Sequence, residues 1–157
     1  MKAVTVTRHL DVEPDDAFGA ITDLRRLPEW NQSITQVLDA PTAMSPGSEW
    51  VVEVSVWGQR WPSRSRLEEL DSRSRCFAYR SASDDGNPSY AEWAWTVADA
   101  DAATPGCEVT VTWELHPATF WRRTLLARLR QRRMQRVEVP ASLADLEDLV
   151  GRTAAHG

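Results

Sequence analysis

Cysteine is scarce in this chain. Cys76 and Cys107 are the only two, too few for a disulfide scaffold, and nothing near them supplies a metal partner at ligand spacing. Both are expected to be reduced, and no metal or other cofactor is implied. Long apolar runs are missing too: no stretch approaches the roughly 20 residues a membrane span needs. The start MKAVTVTRHLDVEP alternates too early to hold a signal-peptide apolar block, which points to the cytoplasm. There is no Gly-rich phosphate loop, nucleophile elbow or H-E-x-x-H motif. Positive charge is short as well. Eighteen Lys+Arg against 23 Asp+Glu leave a formal charge of -5, so the molecule as a whole repels polyanions and nucleic acid is not an expected partner.

What is present is the makings of one compact domain. A chain of 157 residues with 42% apolar content excludes disorder and collagen-like order, and a chain of this size buries roughly 70% of its extended-chain surface. Residues 1–151 read as a single domain and 152–157, small and polar, as a flexible tail. The aromatic residues are lopsided: eight are tryptophan against two tyrosines and three phenylalanines.

Along the chain, Val4, Val6, Leu10 and Val12 share one parity, as in a strand covered on one side, with Arg8 interrupting the stripe. Glu13-Pro14-Asp15-Asp16 opens a short helix, with proline in the first turn and acids where the helix dipole favours them. A second short piece lies in DLRRLPEWN, where Pro28 restricts Leu27. Six strand candidates follow at 33–39, 49–57, 59–70, 75–83, 90–99 and 108–116, separated by turn-forming segments, which predicts an antiparallel meander. Residues 119–150 read as one helix about 48 Å long at about 1.5 Å per residue, with a kink at Pro140.

Alternation assigns the faces. Trp50, Val52, Val54 and Val56 point one way; so do Trp61, Ser63, Ser65 and Leu67, then Phe77 and Tyr79, then Trp93, Trp95 and Val97, then Val109, Val111, Trp113 and Leu115. Glu53, Glu92 and Glu114 fall on the opposite face, where they are expected to pair with Arg60, Arg64 or Arg80 across strands. His9 and His116 fall on outward or end positions. The long helix is the element available to cover the aromatic face. Projected at about 100° per residue, one stripe runs through Trp121, Leu125, Val139, Leu143, Leu146 and Val150, with Leu129 at its edge and Arg128 and Arg132 on it. A second runs through Phe120, Ala127, Met134, Val137 and Ala141, and a kink at Pro140 would reset the phase between the two.

The segment LDVEPDDAFGAITDLRRLPEWN at 10–31, the ending SLADLEDLV at 142–150, and this order of elements resemble the SRPBCC superfamily, which includes START domains, Bet v 1-like proteins and polyketide cyclase/dehydrase-like proteins. The resemblance implies an α+β helix-grip fold: a curved seven-stranded antiparallel sheet wrapped around a long C-terminal helix, with two short helices after the first strand. It also implies a cavity between sheet and helix for an apolar or amphipathic small molecule. The stretch 122–136 carries seven arginines, more than the resemblance leads one to expect.

On this reading Trp30, Val54, Val56, Trp61, Ser63, Phe77, Tyr79, Trp93, Trp95, Val111, Trp113 and Arg132 are the candidate ligand-binding residues. An indole offers broad apolar contact plus one N–H for a polar group, Trp30 is a candidate lid residue, and an inward Arg132 would have to meet a carboxylate or phosphate from the protein or the ligand. For catalysis, Tyr79 with Ser63 or Ser65 is the inward polar set. The expected function is binding of a small hydrophobic or amphipathic molecule without catalysis. The alternatives are a polyketide aromatase/cyclase-like enzyme in which Tyr79 assists cyclisation or dehydration, and a protein-interaction module, such as a homodimer joined through Trp57 or an edge strand.

Overall fold

The computed structural model describes residues 2–118 and 121–156, for 121–125 and 156 by backbone alone. Strand β1 (Val4–Leu10) leads into helix α1 (Pro14–Thr22), a 3-10 turn (Leu24–Arg26) and helix α2 (Leu27–Trp30). Strands β2 (Ile34–Asp39), β3 (Glu49–Val56), β4 (Gln59–Asp71), β5 (Cys76–Ser83), β6 (Tyr90–Asp99) and β7 (Cys107–His116) follow. Helix α3 (Trp121–Arg133), a π-helical turn (Met134–Glu138) and helix α4 (Val139–His156) end the chain. The strands form one seven-stranded antiparallel sheet in the order β1-β7-β6-β5-β4-β3-β2. The meander from β2 to β7 is thus closed at its far edge by β1, and the chain between β1 and β2 carries α1 and α2 across the sheet. Register shifts in β2 and in β4 between Leu67 and Glu69 bend the sheet as β-bulges do.

Two sharp turns set the ends of the strands. Trp57 (φ 52°) and Gly58 (φ 75°) form the two-residue loop between β3 and β4. Positive φ at both positions is the requirement of a type I′ hairpin turn, and tryptophan is a costly residue to hold there. Gly106 (φ 110°) precedes β7, and a Cβ on it would lie 2.3 Å from the Leu10 carbonyl oxygen. Only glycine lets these two backbones approach so closely.

The core draws on the inward parity of the strands, with Val51 of β3 a buried residue of the outward parity, and Leu10, Val109, Val111 and Trp113 are fully enclosed. α4 completes this part of the core through Val139, Leu143, Leu146, Leu149 and Val150, against Ala17, Phe18 and Ile21 of α1 and Leu27 and Trp30 of α2. Each such large apolar side chain contributes roughly 1.5–3 kcal/mol on burial. Arg8, the interruption in the first stripe, is half-buried and donates to the Pro140 carbonyl at 3.3 Å. On the outer face Arg80 pairs with Glu92 (2.8 Å) and Glu68 (3.5 Å), Arg64 with Asp84 (2.9 Å) and Glu49 (3.5 Å), and Arg60 with Glu53 (3.7 Å). These exposed pairs contribute little individually.

The long helix uses parts of both stripes expected from its sequence. Its apolar seam follows the second stripe through Ala127 of α3 and Met134 at the start of the π-helical turn, and the first stripe in α4, through Val139, Leu143, Leu146 and Val150. Phe120 and the side chains of Trp121 and Leu125 lie outside the described residues. The change occurs at the π-helical turn, where the Val139 N–H bonds to the Met134 carbonyl, five residues back. A five-residue turn inserts one residue relative to an α-helix and so rotates the phase by about 100°. Pro140 explains its position: proline has no N–H to give and its ring collides with the carbonyl four residues earlier in a regular helix. At the other end, Gly151 does not stop the helix. α4 continues through the segment expected as a flexible tail to His156, because Ala154 and Ala155 favour helix and Thr153 accepts a hydrogen bond from Arg26 (3.2 Å).

Candidate functional site

A cavity of about 540 Å³ lies between the sheet and the N-terminal part of the long helix. Its wall is aromatic because β3 to β6 all turn their ring-bearing parity inward. Trp50 stacks on Phe77 at 5.9 Å and meets Tyr79 edge-on at 5.2 Å, Phe77 and Tyr79 lie 5.0 Å apart, and Tyr79 stacks on Trp93 at 6.3 Å. Ring centroids in this range contribute beyond area burial. Leu126, Ala127, Arg130 and Met134 line the helix side, and the small Ala127 fills little of the space beneath α3. Leu24, Leu27 and Ile34 close the side nearest α2.

Hydroxyls are set into this wall. Alternation brings Ser63 and Ser65 of β4 and Ser81 and Ser83 of β5 to the cavity, directly opposite one another as Ser63–Ser83 and Ser65–Ser81. The Trp93 indole N–H donates to Ser81 Oγ at 3.2 Å and the Trp95 indole N–H to the Tyr79 hydroxyl at 3.4 Å. Burial pushes the Tyr79 phenol up to about 12, against the smaller opposing effect of the Trp95 hydrogen bond. It therefore stays protonated at physiological pH and is a poor proton donor for chemistry, though a good hydrogen-bond donor.

The open end is ringed by the Trp57–Gly58 turn, by Asn87 and Ser89 between β5 and β6, by Tyr90 at the start of β6, and by His116 and Pro117. Trp57 is 53% exposed, and the Arg133 guanidinium stands over its ring at 5.7 Å, so the hairpin and the helix touch across the mouth. Glu138, only 8% exposed, accepts from Arg133 at 3.0 Å and from Arg130, which ties both arginines to the π-helical turn. His116 stacks on Tyr90 at 4.5 Å, and its Nε2 lies 3.1 Å from a Glu92 oxygen and 3.9 Å from one of Glu114. The Arg80 hydrogen bond holds the Glu92 carboxyl below its ordinary range, with a smaller contribution from His116. Glu92, Glu114 and His116 are the one group among the described residues with metal-ligand spacing, and Arg80 already occupies one of its carboxylates.

Of the residues singled out from sequence, Val54, Val56, Trp61, Ser63, Phe77, Tyr79, Trp93 and Trp95 line the cavity. Four do not. Val111 and Trp113 face the correct side but are wholly enclosed, with Trp93 stacked over Trp113 at 5.7 Å. Trp30 is not a lid: it is 1% exposed and packs edge-on behind Trp95 at 5.4 Å. Arg132 is exposed, because the phase change at the π-helical turn brings Arg130 to the cavity in its place, and the acidic partner an inward arginine requires is Glu138. Trp50, Val52 and Ser81 also line the cavity, as does Ser65 of the inward polar set; the inward parity of all four is readable from strand alternation, Ser81 lying two residues beyond Tyr79. Trp57, on the outward parity, reaches the mouth through its turn.

The family model described as "Polyketide cyclase / dehydrase and lipid transport" matches residues 1–151. No curated protein matches the chain significantly. Among solved structures, the Zhui aromatase/cyclase from Streptomyces sp. R1128 is similar with a TM-score of 0.77 at 15% identity, covering 98% of this chain and 95% of that one. The protein TTHA0849 from Thermus thermophilus gives 0.74 at 18% identity over 97% and 99%. Ara h 8.0201, a Bet v 1-like protein, gives 0.67 at 14% identity over 95% and 97%. Likenesses at these identities concern the fold. No described helix is long and apolar enough to cross a membrane.

Proposed function

Since the chain belongs to the polyketide cyclase/dehydrase and lipid transport family, we propose that it binds a small hydrophobic or amphipathic molecule between sheet and helix without changing it chemically. The observation that carries this reading is the 540 Å³ cavity walled by indole and phenyl rings and studded with serine hydroxyls. Rings provide contact area to almost any apolar guest, and a few fixed polar groups orient it. A guest of about 20 heavy atoms at roughly 0.3 kcal/mol each gains about 6 kcal/mol, which corresponds to tens of micromolar. The proposed contact residues are Trp50, Val54, Trp61, Phe77, Tyr79, Ser81, Trp93 and Trp95. A thermal-shift and native mass-spectrometry screen of hydrophobic compounds at 100 µM is the test, with several stoichiometric binders expected. A library in which nothing shifts the melting point or appears as a 1:1 complex overturns the reading.

A second reading, an aromatase/cyclase-like activity, is favoured by one feature. His116 lines the mouth with its Nε2 against Glu92, so an imidazole held by a carboxylate borders the cavity, a pairing used by general bases. Turnover of a cyclisable polyketone lost in His116→Gln and kept in Tyr79→Phe would support this reading over simple binding.

A further inference from the structure

The two indole hydrogen bonds in the cavity wall repeat one geometry. Trp95 sits opposite Phe77 in the β5–β6 register and donates to Tyr79, two residues along β5. Trp93 sits opposite Tyr79 and donates to Ser81, again two residues along. Each tryptophan thus reaches diagonally across the ladder and fills an acceptor site on the next inward hydroxyl. Indole N–H only donates, so the polarity of both bonds is fixed.

A hydroxyl that accepts from an indole keeps its own proton to give. For Tyr79 the bias is strong, because the second lone pair of a phenol is delocalised into the ring and burial keeps the group protonated. Ser81 retains one lone pair, and its O–H has no acceptor among the described residues. Both oxygens belong to residues lining the cavity. Ser63 is polarised in the reverse sense: its O–H goes to the Ala82 carbonyl at 3.4 Å, so it meets a guest as an acceptor. Ser65 is 3% exposed, lines the cavity and has no side-chain hydrogen-bond partner among the described residues.

We infer that Tyr79 and Ser81 form a donor patch, preset by Trp93 and Trp95, that selects guests whose buried end carries a carbonyl-type acceptor over hydrocarbons of the same shape. This rests on the cavity being a ligand site, and adds to it the chemistry of the ligand. A carbonyl entering there gains a hydrogen bond in a dry site, whereas a hydrocarbon of equal size leaves two buried hydroxyls without acceptors. Unmet donors inside a site penalise the wrong guest more than met ones favour the right one.

The test uses two rigid probes of nearly equal shape, 9-fluorenone and fluorene, in equilibrium dialysis against the full chain. Fluorenone is expected to bind about three- to tenfold more tightly, the weight of one neutral hydrogen bond. Infrared difference spectra should show its carbonyl stretch lowered relative to hydrocarbon solvent. In Tyr79→Phe the preference should fall and the stretch should return toward its free value, with thermal unfolding of the same sample confirming that the variant is folded. If that variant does not fold, the wild-type carbonyl frequency decides alone. Equal affinity for the two probes, or a bound carbonyl at its free frequency, overturns the donor patch while leaving the cavity a ligand site. If both probes remain free, the cavity reading falls and this inference with it.

Discussion

Removing one residue from the middle of an α-helix turns everything before the deletion by about 100° and pulls it in by about 1.5 Å. In most core helices that destroys the packing. Here the π-helical turn already stores one surplus residue. Met134 and Val139 are successive members of the apolar seam, yet they are five apart in sequence and joined by a five-residue hydrogen bond. Val137, 54% exposed on that turn, is the residue to remove: its deletion makes the spacing four and the helix regular. The obstacle is Pro140, whose ring then meets the carbonyl four residues back at a cost of about 3 kcal/mol. For a chain of this length that is roughly 6–12 °C in melting temperature.

Deleting Val137 alone should therefore destabilise the protein by about 3 kcal/mol, and deleting it together with Pro140→Ala should recover most of the loss. Deleting Ala144, within α4, has no stored residue to absorb it and should abolish cooperative unfolding. Urea titrations followed by circular dichroism and tryptophan fluorescence read all three. If Pro140→Ala does not rescue the Val137 deletion, or if the pair is as damaged as the Ala144 deletion, the account of how the helix changes phase is wrong.

Trp57→Asn places at φ 52° a residue suited to the left-handed region. Relief of roughly 1–3 kcal/mol of strain should exceed the roughly 0.5–1 kcal/mol lost with the Arg133 contact, so the melting temperature should rise while guests leave faster through the wider mouth. A lower melting temperature contradicts the strain argument. Acid should act through Glu53, Asp71, Asp84 and Glu92, whose carboxyls are all held below their ordinary values. Depressed folded-state values mean that protonation favours the unfolded chain. Their contribution is complete above about pH 5 and is lost as pH falls below about 4. High salt should blunt the share that arises from the exposed Arg64 and Arg80 pairs but not that of Asp71, which is held by the backbone N–H groups of Arg73 and Ser74. An acid transition that begins above pH 6 would point to other groups.

The alternation of side chains across a strand is local, so the sequence alone determined that Trp61, Ser63, Phe77, Tyr79, Trp93 and Trp95 share one face of the sheet, and that the arginines and glutamates opposite them lie on the other. Proline and paired acids likewise marked α1, and turn residues marked the meander. Which inward side chains border empty space is not a local property. Val111 and Trp113 obey the same parity as Trp93 and are nevertheless sealed in the core, because α1 packs against β6 and β7, α4 against β1, and the Trp93 ring stacks over Trp113. The helix showed two stripes in sequence, and the choice of Arg130 over Arg132 was made by a hydrogen bond that skips a residue ahead of Pro140. Trp57 reads as outward by parity but reaches the mouth because its turn bends the backbone into the left-handed region. Face assignment follows from the covalent geometry of the chain, whereas the cavity depends on where distant elements come to rest against one another, and only tertiary packing decides that.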